Sequence, residues 1–211
     1  MLSNILKKYQ IILASQSPRR INLLKLLGLV FEIIPANINE ELLNEAEPSA
    51  YCMKLASAKA QFVSQNINIP NSLIYNQNTL INKNSLIIAA DTIVVLSDEI
   101  INKPIDADDA FRILKKLSGN NHFVYTGVTV LNSANSKPIT DYSRTTVCFR
   151  ELTDSEIWDY INTGSPMDKA GAYGIQDDYG ALFVKRIEGC YNNVIGLPLE
   201  LLFRMLMKAV D

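Results

Sequence analysis

The sequence predicts an α/β protein built on a mixed sheet, and three observations carry this. Short apolar segments of strand type interleave with segments of helical period along the whole chain. One of them, SLIIAADTIVVLS (85–97), is a nearly continuous run rich in Ile and Val, as expected for a central strand covered on both faces. Hydrophobic residues make up 48% of the 211 residues and charged residues 20%, so the chain can bury a core and global disorder is excluded.

The elements follow in order. Gln10 to Ser15 reads as a short buried strand. Ser17 is a good N-cap and Pro18 suits the first helical position. Leu23, Leu24 and Leu27 recur at helical spacing, and Gly28 stands where a helix turns left-handed at its end. Val30 to Ala36 reads as a second strand, and Glu40 to Pro48 as an acidic, exposed connection. Pro48 to Val63 reads as a helix with Tyr51, Leu55, Ala58 and Phe62 on its buried face. Residues 64–85 are crowded with asparagine around Pro70 and read as a surface excursion. After the central strand, Asp108 to Leu117 reads as a helix capped near Asp106 and closed by Ser118-Gly119. His122 to Leu131 and Tyr142 to Arg150 alternate as strands do, and Thr153 with Glu156 forms a capping box that opens another helix. The glycine-rich stretch from Ala170 to Val184 reads as strand–turn–strand, and Leu197 to Ala209 as a C-terminal amphipathic helix. With no internal repeat and no linker, residues 1–211 read as a single domain, with room for two lobes around a cleft.

Charge and composition exclude several classes. Lys plus Arg is 20 and Asp plus Glu is 22, a formal charge of −2, so the basic excess of a nucleic acid polymer binder is missing. Cys52, Cys148 and Cys190 lie far apart and are odd in number, which argues against a disulfide framework or a cysteine-rich zinc site and for a reducing, cytoplasmic setting. The single histidine, His122, removes mechanisms that need two and is expected to pack against or cap a strand. The first 15 residues do not form a signal sequence, and no 18-residue apolar segment occurs, so no membrane span is expected.

Two places stand out for chemistry. In Ser15-Gln16-Ser17-Pro18-Arg19-Arg20 a strand feeds a helix through a small polar turn. Such a turn aims backbone N–H groups and the positive helix end at one spot, and two arginines add donors for phosphate oxygens. The same pattern also occurs as an ordinary cap with exposed arginines, and neither a P-loop nor a Rossmann fingerprint accompanies it. Asp91 is the sharper signal. A carboxylate inside the most apolar strand costs several kcal/mol of desolvation, ~2 or more, unless it is paired or binds metal. The alternative, a strand that ends at Ala90, sits poorly with the apolar run from Ile93 to Leu96. Glu40, among other acids, Lys59 on its helix, Lys103 before Pro104 and Gln176 beside Gly171 and Gly174 are individually weak signals.

Taken together, these segments resemble one family. SQSPRR, a glutamate about twenty residues later, LASAKA, AADTIVV and NKP, then KLSGNNHFVYTGV and the long run from Asp168 to Leu202, follow the pattern of the Maf-type proteins over residues 10 to 207. These are known as septum-formation-inhibitor proteins and nucleoside triphosphate pyrophosphatases. The resemblance implies an elongated mixed sheet flanked by helices around a central cleft, similar to that of the inosine-triphosphate pyrophosphatases, and a homodimer. It implies catalytic roles for Asp91 as proton acceptor, for Glu40, and for Lys59 and Lys103 facing the triphosphate. It implies substrate binding by Ser15, Ser17, Arg19, Arg20, Thr92 and Gln176, and a divalent metal, Mg²⁺ or Mn²⁺, held by Glu40 and Asp91. Arg19, Thr92 and Gln176 match the branch acting on dTTP and UTP, which splits a nucleoside triphosphate into monophosphate and pyrophosphate. A 7-methyl-GTP pyrophosphatase, and a nucleotide-binding regulator of septum formation without turnover, are the alternatives. The sequence departs from the pattern where Asn39, not an acid, precedes Glu40, and in the longer asparagine-rich stretch.

Overall fold

In a computed structural model the structure describes residues 8–39, 47–66, 84–176 and 179–210. The elements are β1 (Gln10–Leu13), α1 (Pro18–Leu26), β2 (Phe31–Ile33), α2 (Pro48–Asn66), β3 (Ser85–Leu96), β4 (Glu99–Ile101), α3 (Ala107–Leu117), β5 (Asn121–Asn132), β6 (Lys137–Phe149), α4 (Asp154–Ile161), α5 (Gly180–Phe183), β7 (Val184–Glu188), α6 (Tyr191–Ile195) and α7 (Leu199–Val210). The α/β expectation holds: the strands form a seven-stranded mixed sheet in the order β2-β1-β3-β5-β6-β7, with β4 paired to β3. β1 runs parallel to β2 and β3, whereas β3–β4 and β6–β7 are antiparallel. The described residues fall into two compact units. One takes the chain up to Asp91, Gly127–Tyr142 and Gly196 onward; the other takes Thr92–Thr126 and Ser143–Ile195.

In the first unit the parallel pair β1–β3 supplies the core. Side chains alternate across a strand, so Ile12 and Ala14 share a face with Ile87 and Ala89, and Ala60 and Val63 of α2 pack on them together with Ile34 and Leu131. The buried side of α2 is Ser49, Cys52, Leu55, Ala56, Ala60 and Val63. This corrects the expected face: Leu55 is buried as predicted, but Tyr51, Ala58 and Phe62 are only half-buried. The stripe through small residues won over the stripe through large ones because the helix lies close to the sheet. A Cβ at Gly127 of β5 would stand 2.4 Å from the backbone carbonyl of Cys52. At the chain's end α7 buries Leu201, Leu202, Met205 and Leu206. Asn132 donates to the Ala209 carbonyl at 2.9 Å, satisfying one of the carbonyls a helix end leaves over.

In the second unit both predicted helix starts are present. Asp106 accepts from the Asp109 N–H at 2.7 Å, and Thr153 with Glu156 forms the capping box. Arg150, bonded to Glu156 at 2.6 Å, and the cap donors hold that carboxyl down at about 2. Phe111 stacks on Trp158 at 5.0 Å, joining α3 to α4. The stretch from Ala170 to Val184 is not strand–turn–strand. It forms a 3-10 turn, Ala170–Ala172, then α5, and only then β7. Gly171 at φ 73° and Ala172 at φ 57° turn the backbone left-handed there, which no strand can follow. Gly171 also lies against Val94, where an added Cβ would come within 2.9 Å.

Cys52, Cys148 and Cys190 are free thiols. Among the described residues no helix is long and apolar enough to cross a membrane. The asparagine-rich excursion lies largely outside the described residues.

Candidate active site

The turn after β1 is built as the sequence predicts. Ser17 caps α1 and its hydroxyl accepts from the Arg20 N–H. Ser15, almost fully buried, accepts from the Ser17 N–H at 3.2 Å. The ordinary-cap alternative fails for Arg20, whose side chain is half-buried and anchored. Its Nε donates to the Gly196 carbonyl at 2.9 Å and its Nη1 to Ser15 Oγ at 3.4 Å. Arg19 is half-buried in the same first turn. A serine hydroxyl, a helix N-terminus and a fixed guanidinium thus occupy one turn, a combination suited to an anion.

Asp91 lies on β3 two residues beyond Ala89, hence on the sheet face that receives α2. Lys59 precedes Ala60 on the buried side of that helix. Its ammonium donates to Asp91 Oδ1 at 2.6 Å, with the two side chains 12% and 11% exposed. The pairing offsets the cost of keeping a carboxylate in an apolar strand. The last registered pair of β1 and β3 is Leu13–Ile88. Ser15 follows by two residues and Asp91 by three, so both leave the same carboxyl end of a parallel pair, where α/β sheets bind ligands. The Asp91 charge is felt at Cys52: burial first, and that carboxylate second, push the thiol up to about 12. Cys52 is therefore a protonated donor, bonded to the Ser49 carbonyl at 3.2 Å, and no nucleophile.

In the second unit Thr92 Oγ1 lies 3.0 Å from Thr126 Oγ1, and Thr126 donates to the Asn193 carbonyl at 3.1 Å. Asn193, fully buried, donates through Nδ2 to the Val124 carbonyl and to Thr145 Oγ1, both at 2.9 Å. Sequence reasoning missed Thr126, Asn193 and Gly196. Polar residues inside apolar segments were the available signal for the first two. Gly196 had none, because it acts through its carbonyl. Lys103 and Gln176 both lie exposed in this unit, in turns after β4 and after the 3-10 segment. His122 is buried, bonded to the Tyr173 hydroxyl at 2.8 Å and edge-on to Phe149, so it packs as expected. Burial lowers its pKa to about 4 and pushes the Tyr173 phenol above its usual range.

Glu40, one of the two expected metal ligands, lies outside the described residues; the other is Asp91. Its carboxylate is a hard oxygen donor of the kind Mg²⁺ and Mn²⁺ accept, and Mg²⁺ sites need only one or two carboxylates beside substrate phosphates. Among the described residues there is no cluster of three or more potential metal ligands.

The model of the Maf-like protein family matches residues 10–209. A protein of a Thermoanaerobacter species named dTTP/UTP pyrophosphatase is 44% identical over 202 residues, 96% of this chain and 97% of its own. Proteins of the same name from Caldicellulosiruptor bescii and Clostridium botulinum are 44% and 45% identical over 199 and 200 residues, 94% of this chain in each case and 94% and 96% of theirs.

Proposed function

The chain belongs to the Maf-like protein family, and from that premise we propose that it is a nucleoside triphosphate pyrophosphatase that converts dTTP and UTP to the monophosphate and pyrophosphate. The observation that carries the reading is the Lys59–Asp91 pair. It holds a carboxylate in one orientation, at the same strand ends as the Ser15–Arg20 turn.

The chemistry follows from these groups. The turn takes phosphate oxygens through the Arg20 guanidinium, at the positive end of α1. Asp91 orients a water and accepts its proton as the oxygen attacks the α-phosphorus. The α–β anhydride bond breaks, its electron pair passes to the bridging oxygen, and pyrophosphate leaves. Lys59 keeps the Asp91 carboxylate aimed and, with Lys103, offsets charge on the triphosphate. A divalent metal held by Asp91 and Glu40 would add neutralisation of phosphate charge. Gln176 offers a donor and an acceptor to the carbonyl and N3–H edge of thymine or uracil, which favours these bases over 7-methylguanine. The working form is a cytoplasmic homodimer.

The test is a panel of nucleotides assayed for pyrophosphate release with and without Mg²⁺ or Mn²⁺. The reading expects metal-dependent release from dTTP and UTP at least about 10-fold above 7-methyl-GTP in kcat/KM. Preference for 7-methyl-GTP would overturn the base assignment, and no release from any nucleotide would overturn the activity. Light scattering that returns a monomer at assay concentration would overturn the dimer.

A further inference from the structure

We propose that Gly196 is a positioning residue for the phosphate-binding arginine, holding Arg20 in place with its backbone carbonyl. The proposal rests on the reading of Arg20 as a phosphate ligand and adds what aims it. Arginine side chains are long and lose much rotamer freedom when fixed, so a guanidinium that must meet a phosphate needs an anchor that does not compete with the phosphate. A carbonyl is such an anchor: it accepts hydrogen bonds and repels anions. The Gly196 carbonyl takes Nε at 2.9 Å, and Ser15 Oγ takes Nη1 at 3.4 Å. A guanidinium carries five N–H donors in one plane. A bond through Nε and one through Nη1 fix its orientation.

The carbonyl's direction is itself determined by the local chain. Gly196 has φ 121°, in the region that L residues rarely adopt. It is followed by Leu197, which is fully buried and, standing before Pro198, is restricted to extended backbone. Pro198 then opens the way into α7 through its carbonyl, which accepts from the Leu202 N–H at 2.9 Å. A glycine that permits the turn, a buried leucine and a proline thus set one peptide group, 176 residues away in sequence from the arginine it holds.

The test uses the full chain and the affinity for inorganic triphosphate, a probe that depends on neither turnover nor base, alongside dTTP kinetics. Gly196→Ala is expected to weaken triphosphate binding about 10-fold, the scale of a compromised charge-assisted contact. In an Arg20→Ala background the same change should cost less than about 2-fold, because residues acting as one unit are not additive. The KM for dTTP should rise with binding while kcat at saturation moves much less.

Should the alanine variant not fold, a second variant answers. The Gly189-Cys190 junction suits chemical ligation of a synthetic 190–211 segment. In that segment the Leu197 N–H can be replaced by an ester oxygen, which weakens the Gly196 carbonyl as an acceptor and leaves every side chain in place. A loss of triphosphate affinity of about 3-fold or more that vanishes with Arg20→Ala supports the proposal. Loss of equal size with and without Arg20, or no loss, overturns it. If Arg20→Ala alone leaves triphosphate binding unchanged, the phosphate reading of Arg20 falls and the proposal falls with it. Failure of dTTP hydrolysis with triphosphate binding intact touches only the activity.

Discussion

At the scale of single residues the pair Lys59–Asp91 does two things that can be separated. Asp91→Asn keeps the size and a polar group but cannot take a proton, so turnover should fall about 100-fold or more with the fold retained. Circular dichroism and pyrophosphate release on the same sample check this, and near wild-type release would remove Asp91 from the role of base. Lys59→Met asks the other question. Removing the ammonium leaves a nearly buried carboxylate without this counter-charge, and breaking such a pair costs about 3 kcal/mol. Urea denaturation should show that loss, and Lys59→Met/Asp91→Leu should recover most of it while remaining inactive. Asp91 was legible in the sequence because a lone acid in an Ile/Val run has few stable explanations. Its partner was less so: Lys59 looks like any helix lysine until the register of α2 against β3 is known. Gly196 was not legible, since no side-chain chemistry announces a carbonyl that holds an arginine.

At the scale of elements, the sequence marks ends better than faces. The caps at Ser17, Asp106 and Thr153 are where their side chains predict, because a cap is a contact between neighbours in sequence. The buried face of α2 is not set locally. Two stripes of similar period compete, and the choice depends on how near another strand comes. Gly127 makes that approach possible, and Gly127→Ala would force a methyl group into the Cys52 backbone at 2.4 Å. Backbone cannot move aside as a flexible side chain can, so a loss of about 3 kcal/mol, at the upper end for overpacking, is expected in chemical denaturation. A variant as stable as the parent would mean that α2 shifts freely. The misread stretch after Ala170 has the same origin. Left-handed φ at Gly171 and at Ala172 cannot be told from a turn between strands by composition.

For the whole molecule, the mixed sheet and its central buried strand were readable from hydrophobic patterning, whereas the places where the two compact units divide were not, because the division cuts within β3, β5 and β6. Stability should respond to pH through the second unit's one histidine. Unfolded, His122 titrates near 6.5; folded, near about 4. Within that window the unfolded chain binds a proton that the native chain does not, so stability is complete above about 6.5 and declines as pH falls toward and through 4. The contribution is about 3 kcal/mol by the usual conversion. The stability difference between parent and His122→Gln, measured from pH 7 to 4, should shrink or reverse by that amount; a constant difference would show that His122 titrates normally in the folded protein.

The buried thiol of Cys52 gives the first unit a clock of its own. At zero exposure and with its proton retained to about 12, it can meet an alkylating reagent only after the helix that carries it has come away. Cys190, partly exposed, is open to the same reagent in the folded state. A labelling time course read by mass spectrometry, residue by residue, therefore reports how often that part of the chain opens, independently of any assay of turnover. Cys148, buried in the other unit, supplies a second hand on the same dial. If both thiols are modified at one rate across a denaturant series, the two units come apart as a single cooperative body; if Cys148 runs ahead of Cys52, the second unit melts first and the protein has an intermediate with half its sheet intact.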